Sequence, residues 1–376
     1  MQLSYWELQY FINNSDLLVI GSGIVGLNAA ISYKKKNPKA DVLVVERGTL
    51  PSGASTKNAG FACFGSVSEL VDDLGKMDEG IVWDTVELRY KGLLRLKSIL
   101  GEKAMDYKPW GGFEVFDNKQ EFENCASRIH EFNLSAYSIT NLKETYKVNK
   151  RKIVSSGFKD FKYCIENVAE GQINTGIMMR NLIQLAQSMG ILILNNIHVS
   201  KFKDSGSKAH VLLTDGTELK TKKIIIATNG FAKELLKIKD VAPARAQVII
   251  TEPISNLKIK GAFHYQQGYY YFRNIDGRVL FGGGRNLDFK TEETTELGLT
   301  KLVQDNLELI LKNQILPNRK FKIEHRWSGI MGVGSEKRPI IKHVSPNVVC
   351  AVRMGGMGVA IGSLVGEMAV NEMLAG

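Results

Sequence analysis

Gly21, Gly23 and Gly26 stand in the spacing Gly-x-Gly-x-x-Gly, and Glu46 follows 20 residues after the last of them. The chemistry this spacing serves is dinucleotide binding. Gly21 permits a tight strand-to-helix turn, Gly23 lets the backbone approach a pyrophosphate, and Gly26 lets the helix pack close to the strand. Together with Ser22, Ile24 and Val25 they form a loop that presents free N–H groups at a helix N-terminus. Glu46 is spaced to accept hydrogen bonds from an adenosine ribose. Its charge would repel a 2′-phosphate, so NADP is disfavoured, while FAD and NAD both stay open on this stretch.

A glycine motif alone is a weak signal, but here the elements that must position it occur in order. Residues 17–20 are a β-branched-rich run suited to a buried parallel strand, and residues 42–45 are a second one that ends at Glu46. A loop of small residues and hydroxyls, 52–60, follows the acid; it reads as a ligand contact, with a plain turn as the alternative. An amphipathic helix at 177–189 precedes a strand at 191–194. Asp215-Gly216 marks a hairpin, and the strand from 223 runs into Ala227-Thr228-Asn229-Gly230. Between 241 and 285 strands follow one another without helices, which predicts an antiparallel sheet distinct from the first. Residues 291–314 carry the period of one long helix, and a closing helix follows the loop Gly355-Gly356-Met357-Gly358. The predicted fold class is α/β: a discontinuous Rossmann-like domain of residues 1–80, 155–235 and 325–376, plus a substrate domain of 81–154 and 236–324 with a mainly antiparallel sheet and helices.

Composition narrows the function classes. The chain has 376 residues and 44% apolar content, enough for two domains with a substantial core. Cys63, Cys125, Cys164 and Cys350 lie far apart and read as thiols of a reduced compartment, not a disulfide framework or zinc site. No signal-peptide pattern and no membrane-spanning run is read, which points to the cytoplasm. The formal charge is +10, yet the lysines are scattered, so a solvated surface is expected and no nucleic-acid partner. Residues 1–15 read as an aromatic arm of unassigned role.

In order and spacing these motifs resemble the FAD-dependent D-amino-acid-oxidase-type oxidoreductase superfamily, which includes glycine oxidase, sarcosine oxidase and γ-glutamylputrescine oxidase. The resemblance rests on the glycine motif with Glu46, the loop from Gly53 to Gly60, and Gly171-Gln172 before a helix. It rests also on the strand end at Ala227, the hairpin from Tyr270 to Arg285, Trp327-Ser328-Gly329, Arg338-Pro339-Ile340 and the final glycine loop. It implies FAD, held without a covalent bond because no cysteine occupies 327–335. By the same resemblance the adenosine and diphosphate lie on residues 21–26, Glu46 and Arg47. Ala54, Ser55, Thr56, Asn58, Ala59 and Gly60 run along the ribityl chain and isoalloxazine, and Val199 gives backbone contacts to adenine. Ala227, Thr228, Asn229, Gly230 and Gly329 complete the cofactor set. Gly355, Gly356, Met357, Gly358 and Val359 would put a helix N-terminus at the flavin's pyrimidine edge, where reduced flavin carries negative charge.

The chemistry so implied is oxidation of the C–N bond of an amine or amino acid by hydride transfer to flavin, with oxygen or an electron carrier as the next acceptor. Relatives carry a carboxylate-clamping arginine just after Trp-x-Gly; here Met331 occupies that position. Arg285 and Lys57 are the basic residues that could replace it, and Tyr270 matches a pocket tyrosine of the family. Each has an ordinary alternative, an ion pair with Asp288 for Arg285 and a structural loop role for Lys57. Oxidation of a hydroxyl substrate (a glycerophosphate or 2-hydroxyacid) and a flavoprotein related to tRNA modification are the competing functions.

Overall fold

The computed structural model describes residues 4–12 and 15–375. Part of the expected N-terminal arm, 1–3 and 13–14, lies outside them. The first sheet is built on parallel strands Ser15–Ile20, Val42–Val45, Leu192–Leu194, Glu218–Ile226 and Val348–Val352. Nearly every residue of the two innermost is buried, which is why the sequence reads as unbroken apolar runs. One face carries the helices Ile24–Lys36, Glu79–Leu100 and Gly358–Ala375. The other is covered by a meander, Val199–Asp204 and Ala209–Leu213, which leads into the start of Glu218–Ile226.

The second sheet runs in the order Ile323–Val333, Ala242–Thr251, Arg278–Gly283, Tyr270–Ile275, Ala262–Tyr265, Gly112–Phe116, Tyr163–Asn167 and Tyr146–Val148. All pairs are antiparallel except Ala262–Tyr265 on Gly112–Phe116. Its core is aromatic, with Phe263 and Phe272 stacked at 4.9 Å. A third, two-stranded piece pairs Phe61–Ala62 with Gly171–Gln172.

Three boundaries differ from the sequence reading. Tyr163–Asn167 and Ile323–Val333 belong to the second sheet, although both fall largely in ranges assigned to the Rossmann-like domain. Glu79–Leu100, assigned to the other domain, packs against Gly358–Ala375 on the first sheet. These are choices of nonlocal partner, which local periodicity does not encode. The expected long helix at 291–314 is Lys301–Ile310 with a continuing turn Leu311–Ile315; residues 291–300 are turns anchored by Glu292.

Candidate active site

A cavity of about 660 Å³ opens between the two sheets, at the end of the first where its strands terminate. Gly21, Gly23, Ile24 and Val25 line it, with Glu46 and Arg47 beside them. Gly26 is off the wall and does the packing work. A Cβ there would lie 1.9 Å from the Gly21 carbonyl oxygen. Ser22 is also off the wall; its N–H and Oγ donate to Glu46 Oε2 at 3.1 and 2.9 Å. Glu46 Oε1 accepts from Gly48 N, Ser52 N and Ser52 Oγ. The acid therefore joins the glycine turn to the 48–52 loop, in addition to facing the cavity.

The loop after it contains one helical turn, Ala54–Lys57, and is tied from several sides. Ser55 Oγ accepts from Ile24 N at 2.9 Å. Trp327 Nε1 donates to the Lys57 carbonyl at 2.9 Å, and the buried Arg273 donates to the Ala59 carbonyl. Asn58 Oδ1 accepts from Gly60 N and Thr175 Oγ1 at 2.8 Å each. Ala54, Ser55, Lys57, Asn58 and Ala59 reach the wall. Thr56 turns away to the Pro51 carbonyl, and Gly60 is wedged between the Ile173 carbonyl and Arg273. Val199, Ala227, Thr228 and Asn229 line the cavity, whereas Gly230 packs on the Met331 backbone. Asn229 Oδ1 receives Met354 N at 3.1 Å, joining that loop to the wall residues Gly355, Gly356, Met357, Gly358 and Val359.

The far end of the cavity is floored by Gly329 and Met331 and walled by the second sheet. Tyr270 is a correction. Strand alternation turns it into the aromatic core, 2% exposed, where its hydroxyl donates to Asn306 Oδ1 at 2.8 Å. Its neighbours Tyr269 and Tyr271 face the cavity instead. Arg285 lies on the wall, its guanidinium 4.8 Å from the Phe289 ring centroid. No ion pair with Asp288 forms; among the described residues the Arg285 guanidinium has no hydrogen-bond or salt-bridge partner. The Lys57 ammonium is likewise without one. Burial pushes the Tyr271 phenol up to about 12 and His264 down to about 4, so both are neutral at pH 7.

An ion-paired rim closes the opposite side. Burial alone would raise Glu69, but Arg89 and Lys337 outweigh it and bring its carboxyl to about 2. Lys337 Nζ bridges Glu69 and Asp73 at 2.9 and 2.8 Å. Phe61, His264, Lys337, Tyr269 and Tyr271 were missed by sequence reasoning. Only alternation along the tyrosine strand could have signalled any of them. Cys63, Glu170 and His264 lie together, each offering an atom within 4.8 Å of the others. Glu170 is committed to the Phe64 and Gly65 amides, and burial raises its carboxyl to about 7. Burial keeps the Cys63 thiol and the His264 ring neutral at pH 7, and both line the cavity itself, so the trio gives no separate centre.

The walls fit FAD. The N-termini of Ile24–Lys36 and Gly358–Ala375 converge on one cavity with the turn Ala54–Lys57 beside them; Ser55 Oγ takes the Ile24 amide, and the Gly23 cap itself adds no side-chain bond. A Cβ on Gly21 would lie 2.8 Å from the Ala227 carbonyl, so the turn is as narrow as a pyrophosphate cradle requires. Thr228 Oγ1 is buried at the wall without a hydrogen-bond partner among the described residues. These features define the site of an FAD flavoenzyme. The chain matches the DAO family, FAD dependent oxidoreductases, over residues 16–372 and belongs to it.

The chain is 21% identical to the "Probable oxidoreductase OrdL" of Haemophilus influenzae over 96% of its own length and 84% of that protein. L-proline dehydrogenase from P. horikoshii superposes with a TM-score of 0.75 at 18% identity, covering 96% of this chain and 93% of that one. Glycine oxidase from Bacillus cereus superposes at 0.77 and 14%, covering 96% and 98%. Among the described residues no helix is long and apolar enough to cross a membrane.

Proposed function

We propose that this chain oxidises the nitrogen-bearing carbon of a small amine that also carries a carboxylate, an amino acid or an N-substituted relative. The observation that carries this reading is Arg285: a partly buried guanidinium on the cavity wall that, among the described residues, stacks on Phe289 but has no hydrogen-bond or carboxylate partner. An unpaired buried cation is unfavourable unless a ligand completes it. A carboxylate can do so through two parallel hydrogen bonds, which Met331 at the family's usual clamp cannot supply. FAD, when bound, supplies the electron acceptor for a hydride leaving that carbon. The residues then have simple tasks. Arg285 fixes the carboxylate and so the orientation of the reacting C–H bond. Phe61, Tyr271 and Met331 present apolar surface that excludes water. With His264 and Tyr271 neutral, Arg285 and Lys57 are the wall cations without an ion-pair partner among the described residues. The substrate loses two electrons and becomes an imine, and water converts it to a carbonyl compound and free amine.

L-proline and glycine, named for two of the structural relatives, both join an amine to a carboxylate, which supports this reading over a hydroxyl substrate. Oxygen and a carrier both stay open as the final acceptor. Anaerobic mixing of the flavoprotein with a panel of amino acids, plain amines and 2-hydroxyacids tests the proposal. Bleaching of flavin absorbance is expected with amino acids; bleaching by hydroxyacids alone would overturn it.

A further inference from the structure

We infer that the amine oxidised here carries a second carboxylate, which Lys57 holds while Arg285 holds the first; this rests on the function proposed above. The cavity's other acidic and basic side chains are matched among the described residues. Arg47 meets Glu234 at 3.3 Å, Lys76 meets Asp72 at 2.7 Å, and Lys337 bridges Glu69 and Asp73. Glu46 is taken by the donors of Ser22, Gly48 and Ser52. That leaves two cations, Lys57 and Arg285, and no acid. A half-buried wall with that imbalance is complementary to a ligand with two negative groups.

Their placement fits one small molecule. Lys57 lies on Gly329: a Cβ on that glycine would meet Lys57 Cβ at 2.9 Å and Cδ at 3.8 Å, so the stem runs against the strand Ile323–Val333. Gly329 pairs with Ala246, and the next residue, Gln247, pairs with Gly283, two residues before Arg285. Lys57 and Arg285 therefore stand two strand spacings apart, about 10 Å between backbones. Between them the wall is made of Gly329, Ala246 and Gly283, residues too small to fill the gap. Gly283 is held to that size, because a Cβ there would lie 2.0 Å from the Tyr269 carbonyl oxygen. A short carbon chain with a carboxylate at each end bridges such a span. One anchor would let the substrate swing about its carboxylate; two fix the reacting C–H bond. The guanidinium suits the forked contact, and the lysine adds a single charge for the single charge of a carboxylate. The cofactor's phosphates do not compete for these cations. The glycine turn and the N-terminus of Ile24–Lys36 serve them on the first sheet, whereas Lys57 and Arg285 lie against the second.

The test is titration calorimetry of the FAD-loaded enzyme with acids matched in length: succinate against butyrate, and glutarate against valerate. None carries an amine, so binding reports on the two cations apart from the reaction. At least one diacid should bind about tenfold or more tightly than its partner. In K57M that ratio should fall to about one, and K57R should restore it, with flavin content measured for each protein. Equal binding of diacid and monoacid by the wild type, or an undiminished ratio in K57M, would overturn the inference while leaving Arg285 as the partner of a single carboxylate. Absence of binding by every acid would overturn both.

Discussion

Replacing Glu46 by alanine should damage two things at once. The carboxylate accepts five hydrogen bonds, two from Ser22 and three from Gly48 and Ser52. Gly48 and Ser52 are partly exposed and can turn to water; Ser22 is 0% exposed and its N–H cannot. An orphaned buried donor costs about 1–3 kcal/mol. In a chain of this size that is a fall of a few degrees in melting temperature, at roughly 2–4 °C per kcal/mol for somewhat smaller domains. Loss of a charge-assisted bond to the cofactor ribose, about 1.5–3 kcal/mol, would weaken FAD roughly 10- to 150-fold. Melting of FAD-stripped protein and fluorescence titration with FAD separate the two. Glu46→Gln discriminates further. Its amide keeps one acceptor, but its NH2 opposes donors on the other side, so melting should fall nearly as far as with alanine. Unchanged melting in Glu46→Ala would refute the loop-organising role, and unchanged FAD affinity would remove Glu46 from the cofactor site.

Other substitutions probe the frame. Gly26→Ala should cost more than about 4 kcal/mol, because its Cβ overlaps the Gly21 carbonyl; soluble yield and flavin content should collapse. Gly176→Ala, whose Cβ meets only Asn174 Oδ1 at 3.5 Å, should leave both unchanged. Burial holds Glu170 protonated up to about pH 7, so the folded state keeps a proton that the unfolded state releases above about pH 4.3. Stability should therefore fall as pH rises from about 5 to 7. Glu114, raised to about 7 by the same cause, acts in parallel. Glu170→Gln keeps an acceptor for the Phe64 and Gly65 amides, and its melting curve should lose about half of that slope; an identical slope would exclude Glu170 as a source. Arg285→Lys should slow flavin reduction by a carboxylate-bearing amine while FAD affinity stays at the wild-type value, since lysine cannot form the two-pronged contact. Equal reduction rates would take Arg285 out of substrate binding.

The Gly21–Glu46 unit was legible because its strand, turn and helix are local, each written in consecutive residues. The loops that bring Ala54, Asn229 and Gly356 to the cavity wall stood out in the sequence for the same reason. What local pattern could not give was which face of a strand meets the cavity. Period two sets Tyr270 opposite Tyr271 but leaves open which of them the aromatic core takes, and packing on Phe281 and Asn306 decides it. Nor could it give the partners of Glu46 six residues away, or Trp327 and Arg273 holding a loop more than two hundred residues upstream. These are tertiary hydrogen bonds between polar groups whose types are common everywhere in the chain.

The reaction proposed for this site breaks the C–H bond of a nitrogen-bearing carbon. Anaerobic flavin reduction by the best amino acid of the panel, protiated against deuterated at that carbon, tests it most directly. Slower bleaching with deuterium, and one carbonyl product for each flavin reduced, are expected. Bleaching with no isotope effect and no carbonyl product, or with a hydroxyl carbon as the only one that responds, would contradict it.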